Sequence, residues 1–286
     1  MAEIVYLNGE FIPLAEARIS VLDYGLLFGY ALFETMHAYN STVFRMDGHL
    51  ERLKKSADKL GIAIDIGVLR KAIIDTLSVN RLKEARVRLI LSAGKGKQII
   101  DLSSCTGPTF LVMATPHIPI AAGIYERGYR IIVSDIHRDS RSPIHGMKKT
   151  DYMENILARQ TAKNAGADDA LFLNERGNVT EGTTNNIFLV MNNKLITPPV
   201  SSGILPGITR DVVLELASQS FLTTGEADFN KEELADADEV FLTSSMMEIM
   251  PVTMIDGKVI GSGQPGETTR RLMQAYKALV NTETAV

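Results

Sequence analysis

Lys148 and Lys149 stand directly before Thr150-Asp151-Tyr152, and Glu181 follows one helix and one strand later, within Val179-Thr180-Glu181-Gly182-Thr183-Thr184-Asn185-Asn186. A lysine amine can add to a carbonyl carbon and form a Schiff base, and a carboxylate in a glycine-containing turn can serve the same chemistry from further down the chain. Taken alone, adjacent lysines are a solvated charge cluster and a glutamate in a polar turn is an exposed side chain. What decides between these readings is the set of elements that must position the residues.

Those elements are mixed. Ile4-Val5-Tyr6-Leu7, Asn8-Gly9 and Glu10-Phe11-Ile12 spell a hairpin with a tight primed turn. Strands are expected over 31–39 and 42–45. A helix capped by Asp47 carries Leu50, Leu53, Ala57 and Leu60 at helical spacing, and a second carries Val68, Leu69, Ala72, Ile73, Thr76 and Leu77. Strands over 85–93 and 109–114 close this half. Thr115 to Gly123 holds Pro116 and Pro119 and shows no periodicity, so it reads as a linker. Beyond it come a strand over 129–136, a helix over 151–164, strands over 170–174, 186–190 and 194–197, a helix opening at Gly207-Ile208-Thr209, a strand over 239–243, a turn at Asp256-Gly257 and a closing helix over 267–280. Strands and helices do not alternate strictly, so the expected class is α+β. The expected division is a small α/β domain at 1–115, a linker at 116–124 and a large domain at 125–286. Gly94-Lys95-Gly96-Lys97 has too few glycines for a dinucleotide fingerprint.

Composition narrows the class. The chain has 286 residues, 45% hydrophobic and 22% charged, as in an ordinary globular enzyme, and a net charge of -4 that gives nucleic acid no reason to bind. Cys105 is the only cysteine, which excludes an internal disulfide and a cysteine metal cluster and suits a reducing cytoplasm. The start, MAEIVYLNGEFIP, lacks the basic and apolar regions of a secretory signal. Residues 102–125 carry no Asp, Glu, Lys or Arg, but three prolines interrupt them, so no membrane span is expected.

Several further landmarks complete a pattern: Tyr24-Gly25, Phe33-Glu34, His49-Leu50-Glu51-Arg52-Leu53, Leu205-Pro206-Gly207-Ile208-Thr209-Arg210, Ser244-Ser245, Glu248-Ile249 and Pro251-Val252. With Lys148, Tyr152 and Thr180-Glu181-Gly182, in this order over nearly the whole length, the chain resembles the class IV, or fold-type IV, pyridoxal-phosphate enzymes. That group holds branched-chain aminotransferases, D-amino acid aminotransferases and aminodeoxychorismate lyases. The resemblance implies two domains with pyridoxal 5'-phosphate at their interface, a homodimer, and amino acids and 2-oxo acids as small-molecule substrates.

It also implies roles. Lys148, four residues before Tyr152, is the Schiff-base lysine and general base, with Lys149 as runner-up. Glu181 faces the pyridine nitrogen and Tyr152 the ring's phenolic oxygen. The phosphate falls to the N–H groups of Ile208 and Thr209 at a helix start, the Thr209 hydroxyl, Arg52, Ser245 and Ser244. Without the resemblance, Arg52 lies off the apolar stripe of its helix and reads as solvated. For the substrate, Arg86 and Arg88 alternate on one face of the 85–93 strand and are candidates for a carboxylate, and Tyr30 and His37 for the pocket wall. Branched-chain aminotransferases usually have a tyrosine at Arg86 and an arginine at Arg88, and Gly-x-Arg where this chain has Thr35-Met36-His37. The D-enzymes' arginine and histidine loop signature is missing, with Lys95 and Lys97 in that region. The expected activity is transamination, with a branched-chain L-amino acid favoured as donor and 2-oxoglutarate as a typical acceptor. A D-amino acid aminotransferase, a lyase releasing pyruvate from aminodeoxychorismate, and a non-catalytic cofactor carrier are the alternatives.

Overall fold

The computed structural model describes residues 3–219 and 222–285. They form two compact units: one runs through Ile118 and takes in Met147–Asp151 and the residues from Val280, and the other comprises Pro119–Gly146 and Tyr152–Leu279. A single cut at 116–124 therefore leaves out that Met147–Asp151, with both lysines, groups with the first unit. The expected linker is also shorter than the sequence suggests. A strand continues to Pro116 and a helix opens at Ala122, because a proline is tolerated as the last residue of a strand, where no ladder donor is required of it.

In the first unit, β1 (Ile4–Leu7), β2 (Glu10–Pro13), β3 (Ala31–Tyr39), β4 (Thr42–Val43), β5 (Ala85–Ser92) and β6 (Thr109–Pro116) make a six-stranded antiparallel sheet in the order β2-β1-β6-β5-β3-β4. The helices are α1 (Tyr24–Phe28), α2 (Met46–Lys59) and α3 (Ile66–Val79). Asn8 and Gly9 take φ of 50° and 108°, as a primed turn requires. The α2 start differs from expectation: Arg45, in the left-handed region, is the N-cap, while Asp47 lies in the first turn and pairs with Arg70.

The two faces of β3 diverge. Leu32, Met36 and Ala38 join Val87, Leu89 and Leu91 of β5 in a core with Leu50, Leu53 and Ala57 of α2 and Leu69, Ala72, Ile73 and Leu77 of α3. By alternation Glu34 lies on that core face and is 0% exposed. Phe33, Thr35 and His37 lie on the other, where Thr35 is paired with Arg88 and His37 with Arg86.

The second unit contains α4 (Ala122–Arg127), β7 (Tyr129–Arg138), α5 (Met153–Asn164), β8 (Asp169–Asn174), β9 (Val179–Gly182), β10 (Asn186–Met191), β11 (Lys194–Thr197), α6 (Ile208–Ser218), β12 (Thr223–Glu226), α7 (Lys231–Ala235), β13 (Glu239–Ser244), β14 (Glu248–Ile255) and β15 (Lys258–Val259). The last helix, α8, spans Glu267–Glu283. The nine strands form one sheet in the order β12-β11-β10-β13-β14-β7-β8-β9, with β15 on β14 and β9 paired back to β10. That last pairing closes a ring of strands. Parallel pairs (β7 with β8 and with β14, and β11 with β12) stand beside antiparallel ones, which with the helices makes the α+β class. Among the described residues no helix is long and apolar enough to cross a membrane.

Candidate active site

Lys148 is held by a strand edge. The Phe33 N–H donates to the Lys148 carbonyl at 2.8 Å, the Thr150 N–H to the Ala31 carbonyl at 2.9 Å, and Leu32 bridges Lys149. This antiparallel register turns Lys148 and Lys149 to opposite sides of the edge. The Lys148 amine lies 4.7 Å from the centre of the Phe33 ring, whereas the Lys149 amine sits on the exposed Asp151 carboxylate at 3.0 Å. The Arg88 guanidinium lies over the same Phe33 ring at 3.6 Å, and its Nη1 donates to Thr35 Oγ1 at 3.1 Å. Three groups named or bracketed by the sequence pattern, Lys148, Phe33 and Arg88, thus meet on one face of β3.

The opposite face carries Arg52. Its Nε and Nη2 donate to the two oxygens of Glu34 at 2.9 and 2.6 Å, and His49 Nδ1 lies 2.7 Å from Glu34 Oε2. Arg52 is 8% exposed and not solvated, as its helix position alone suggests. The reason is that α2 buries a wider stripe than its apolar residues mark: His49, Arg52 and Ser56 go in beside Leu50, Leu53 and Ala57. Burial would push the Glu34 carboxyl up, but the Arg52 guanidinium and the His49 hydrogen bond outweigh it and hold it at about 2. Burial pushes His49 below its ordinary value against the pull of Glu34, and the charges of Arg52 and Lys148 act in the same downward direction.

The remaining first-unit candidates lie apart from these clusters. The Tyr30 hydroxyl donates to the Leu60 carbonyl at 2.8 Å. His37 is buried between the rings of Tyr39 and His117, with centroids 3.8 and 4.1 Å away, and Arg86 is exposed.

In the second unit the sheet lines up a row. Glu181 of β9 pairs with Asn186 of β10, which pairs with Thr243 of β13. Residues directly opposite one another share a face, so these three polar side chains point the same way across the strands. Glu181 accepts from Arg138 Nη1 at 2.7 Å and from the Leu205 N–H at 2.9 Å, and Asn186 donates to the Leu205 carbonyl at 2.8 Å. The strand row thereby fixes the loop that leads into α6. The N-cap of α6 is Gly207, which has no side chain to cap the helix, and Thr209 is 3% exposed in its first turn beside the half-buried Ile208. A Cβ on Gly207 would meet Asn186 Oδ1 at 1.9 Å, so only glycine permits this approach.

Ser244 ends β13 and its hydroxyl accepts from the Met247 N–H at 3.3 Å, while Ser245 lies in the turn that follows. Tyr152 is half-buried as the N-cap of α5. The same helix reaches the turn beyond Glu181, with Asn155 Nδ2 donating to the Thr183 carbonyl at 2.6 Å and Arg159 Nη1 to the Thr183 hydroxyl at 3.1 Å. Asp169, wholly buried, accepts from Thr183 Oγ1 and Asn185 Nδ2 at 2.5 and 2.7 Å and braces that turn from inside. Arg138, Asn186, Thr243 and the role of Glu34 and His49 were not singled out by sequence. The motifs Phe33-Glu34 and His49 to Leu53 contained two of them, and the register supplies the rest.

The chain resembles known proteins over almost its full length. The class IV aminotransferase family matches residues 31–255. A protein of Methanocaldococcus jannaschii with the provisional description of a branched-chain-amino-acid aminotransferase is 40% identical over 280 residues, covering 96% of this chain and 95% of its own. The D-alanine aminotransferase of Bacillus licheniformis is 32% identical over 283 residues, covering 98% of each. Among solved structures, a T.th. branched-chain amino acid aminotransferase complexed with N-(5'-phosphopyridoxyl)-L-glutamate superposes with a TM-score of 0.92 at 30% identity, covering 99% of this chain and 95% of the other. The chain belongs to the class IV aminotransferase family. It is a pyridoxal-phosphate-dependent aminotransferase of fold-type IV.

The residues present suit that cofactor. A helix start without a side-chain cap offers N–H groups to a phosphate. The Thr243 hydroxyl, in the row with Glu181 and one residue before Ser244, is buried with no hydrogen-bond partner among the described residues.

Proposed function

We propose that the enzyme moves an amino group from a branched-chain L-amino acid to a 2-oxo acid such as 2-oxoglutarate. The observation that carries this reading is the Arg88 guanidinium, stacked on Phe33 and tied to Thr35 on the face that bears the Lys148 amine. A fixed guanidinium there can take a substrate carboxylate in a fork of two hydrogen bonds. The branched-chain relatives and the missing D-enzyme loop signature support the choice of donor.

When bound, pyridoxal phosphate supplies an aldehyde and a ring that withdraws electrons from the substrate Cα. Lys148 is the residue that would hold the aldehyde carbon. Its amine, when free, would be the general base for the substrate Cα proton and the acid that gives a proton back. Lys149, engaged with Asp151, remains the less suited amine. Glu181 would hold the ring nitrogen's proton and Tyr152 would donate to the phenolic oxygen. Ile208 and Thr209 N–H groups, the Thr209 hydroxyl, Arg52, Ser244 and Ser245 would bind the phosphate. Tyr30, His37 and Arg86 remain candidates for the pocket wall on the resemblance alone.

The test is a set of half-reactions in which single L- and D-amino acids are added to the yellow holoenzyme. Bleaching by L-leucine, L-isoleucine and L-valine supports the reading. Response to D-alanine alone would give the D-amino acid aminotransferase that the Bacillus relative suggests, and pyruvate release without an acceptor would give the lyase. Failure of every amino acid to change the spectrum ends the proposal.

A homodimer is part of the same reading. Met153, Ile156 and Leu157 are exposed at helical spacing on α5, and the consecutive Leu26, Leu27 and Phe28 are exposed on α1, and such apolar groups favour cover by a second copy. Light scattering on the purified protein checks it: a monomer's mass at all concentrations would refute it. The lone half-exposed Cys105 supports a reducing cytoplasm as the location, to be checked by cell fractionation.

A further inference from the structure

The chemistry above gives Glu181 a task and Arg138 none, although the two side chains are each only 10% exposed and joined at 2.7 Å. Arg138 lies on the side of its strand that Ser134 and Ile136 share, while Asp135, His137 and Asp139 alternate with it as exposed residues. β7 and β8 pair in register from Ile131 to Val133 and again from His137, with extra β7 residues between, and Arg138 then stands opposite Asn174. Here the guanidinium stacks over the wholly buried Phe172 ring at 4.2 Å and reaches Glu181 Oε1. The second oxygen, Oε2, is taken by the Leu205 N–H. Each carboxylate oxygen therefore has its own donor, one from β7 and one from the loop before α6.

The pair is costly as mere structure. A guanidinium keeps its proton in a protein, and a buried ion pair is commonly no more stabilising than apolar residues of the same volume. Arg138 moreover has Nε and Nη2 buried without hydrogen-bond partners among the described residues. A group kept at that cost is explained by what it does to the Glu181 carboxylate that it reaches.

We infer that Arg138 is a positioning residue that fixes the plane and offsets the charge of the Glu181 carboxylate, so that the cofactor's ring nitrogen meets an anion shared with a guanidinium. The inference rests on the reading of Glu181 given above. Removing the guanidinium leaves a full negative charge beside the ring and lets the carboxylate turn. Cationic forms of the bound cofactor then gain, and alignment is lost.

The experiment uses the full chain loaded with pyridoxal phosphate, as wild type, Arg138→Met, Arg138→Lys, Glu181→Gln and the Met/Gln double variant. Absorbance of the bound cofactor is titrated against pH, and kcat and KM are measured with the best amino donor. For Arg138→Met the absorbance midpoint should rise by about one pH unit, and kcat should fall by about tenfold to a hundredfold with KM changed less than about twofold. Arg138→Lys should keep the wild-type midpoint and still lose part of kcat, because charge returns without the planar group stacked on Phe172. The double variant, which leaves no unpaired buried charge, should be no worse than Glu181→Gln alone, and it decides the matter if Arg138→Met does not fold. A wild-type midpoint and kcat in Arg138→Met, with Glu181→Gln crippled, overturns the inference and leaves the reading of Glu181 standing. A double variant more than about tenfold below Glu181→Gln also overturns it, since Arg138 would then act elsewhere. An unimpaired Glu181→Gln removes the reading of Glu181 and this inference with it.

Discussion

Glu34 in the first unit and Glu181 in the second are both buried carboxylates gripping an arginine, yet the grip works in opposite senses. Glu34 faces an apolar core between sheet and helices, and both its oxygens are turned to Arg52, with His49 as a second partner. There the anion fixes one cation with both of its oxygens. Glu181 stands in a polar row at the strand ends, with one oxygen on Arg138 and one on a backbone N–H. There the cation holds the anion. The same pairing of residue types thus stands in an apolar core in one unit and in a polar strand row in the other, and the neighbouring elements decide which further partners each carboxylate meets.

The largest effect that would sharpen this contrast concerns the amine beside the first cluster. Lys148→Ala should lose at least about 10⁴-fold in kcat and the covalently retained cofactor, while Lys149→Ala keeps both. Borohydride reduction followed by mass analysis of the peptide checks which lysine carries the adduct. Equal loss in both variants would refute the assignment by register.

Next in size is the stability of the first cluster. Glu34→Ala strands a buried guanidinium and should cost about 3–5 kcal/mol in urea unfolding. A cost under about 1 kcal/mol would show that Arg52 can reach solvent and that the two pairs are alike.

The pH dependence follows from the same cluster. Glu34 sits at about 2 in the folded protein against an ordinary 4.5, so its contribution is full above about 4.5 and is lost as pH falls toward 2. His49 lies below its ordinary 6.5 when folded, so the unfolded chain binds its proton first and stability starts to decline as pH falls through 6.5. Unfolding midpoints measured from pH 7 to pH 3 should fall in two stages, and His49→Gln should remove the upper one. A flat profile between pH 7 and 5 in the wild type would contradict the burial of a neutral His49.

The smallest difference separates the two arginines of β5. Arg88→Ala should raise KM for the 2-oxo acid by about tenfold or more, as loss of a charged hydrogen bond does. Arg86→Ala, exposed and away from Phe33, should stay within about twofold. Steady-state kinetics with 2-oxoglutarate tell them apart.

Much of this was legible in the sequence because turns and helix starts have local chemistry. Asn8-Gly9 and Asp256-Gly257 announced their positive φ values, and Gly207-Ile208-Thr209 announced a helix start fit for an anion. Arg138 was hidden because Asp135, His137 and Asp139 surround it with residues typical of an exposed strand end, and what it meets, Phe172 and Glu181, lies on other strands. Glu34 was hidden because β3 is buried on both faces, so alternation no longer separates core from surface. The grouping of Met147–Asp151 with the first unit rests on hydrogen bonds to residues more than a hundred positions earlier, which no local pattern can carry.

The ladder that fastens this segment to Ala31 and Phe33 also gives the adjacent lysines a meaning as a pair. Side chains change sides at every step of a strand, so slipping the segment by one position would carry Lys149 to the side that Lys148 occupies. The doubled lysine leaves a spare amine for the neighbouring frame, and a deletion at position 148 would be a milder lesion than an alanine there.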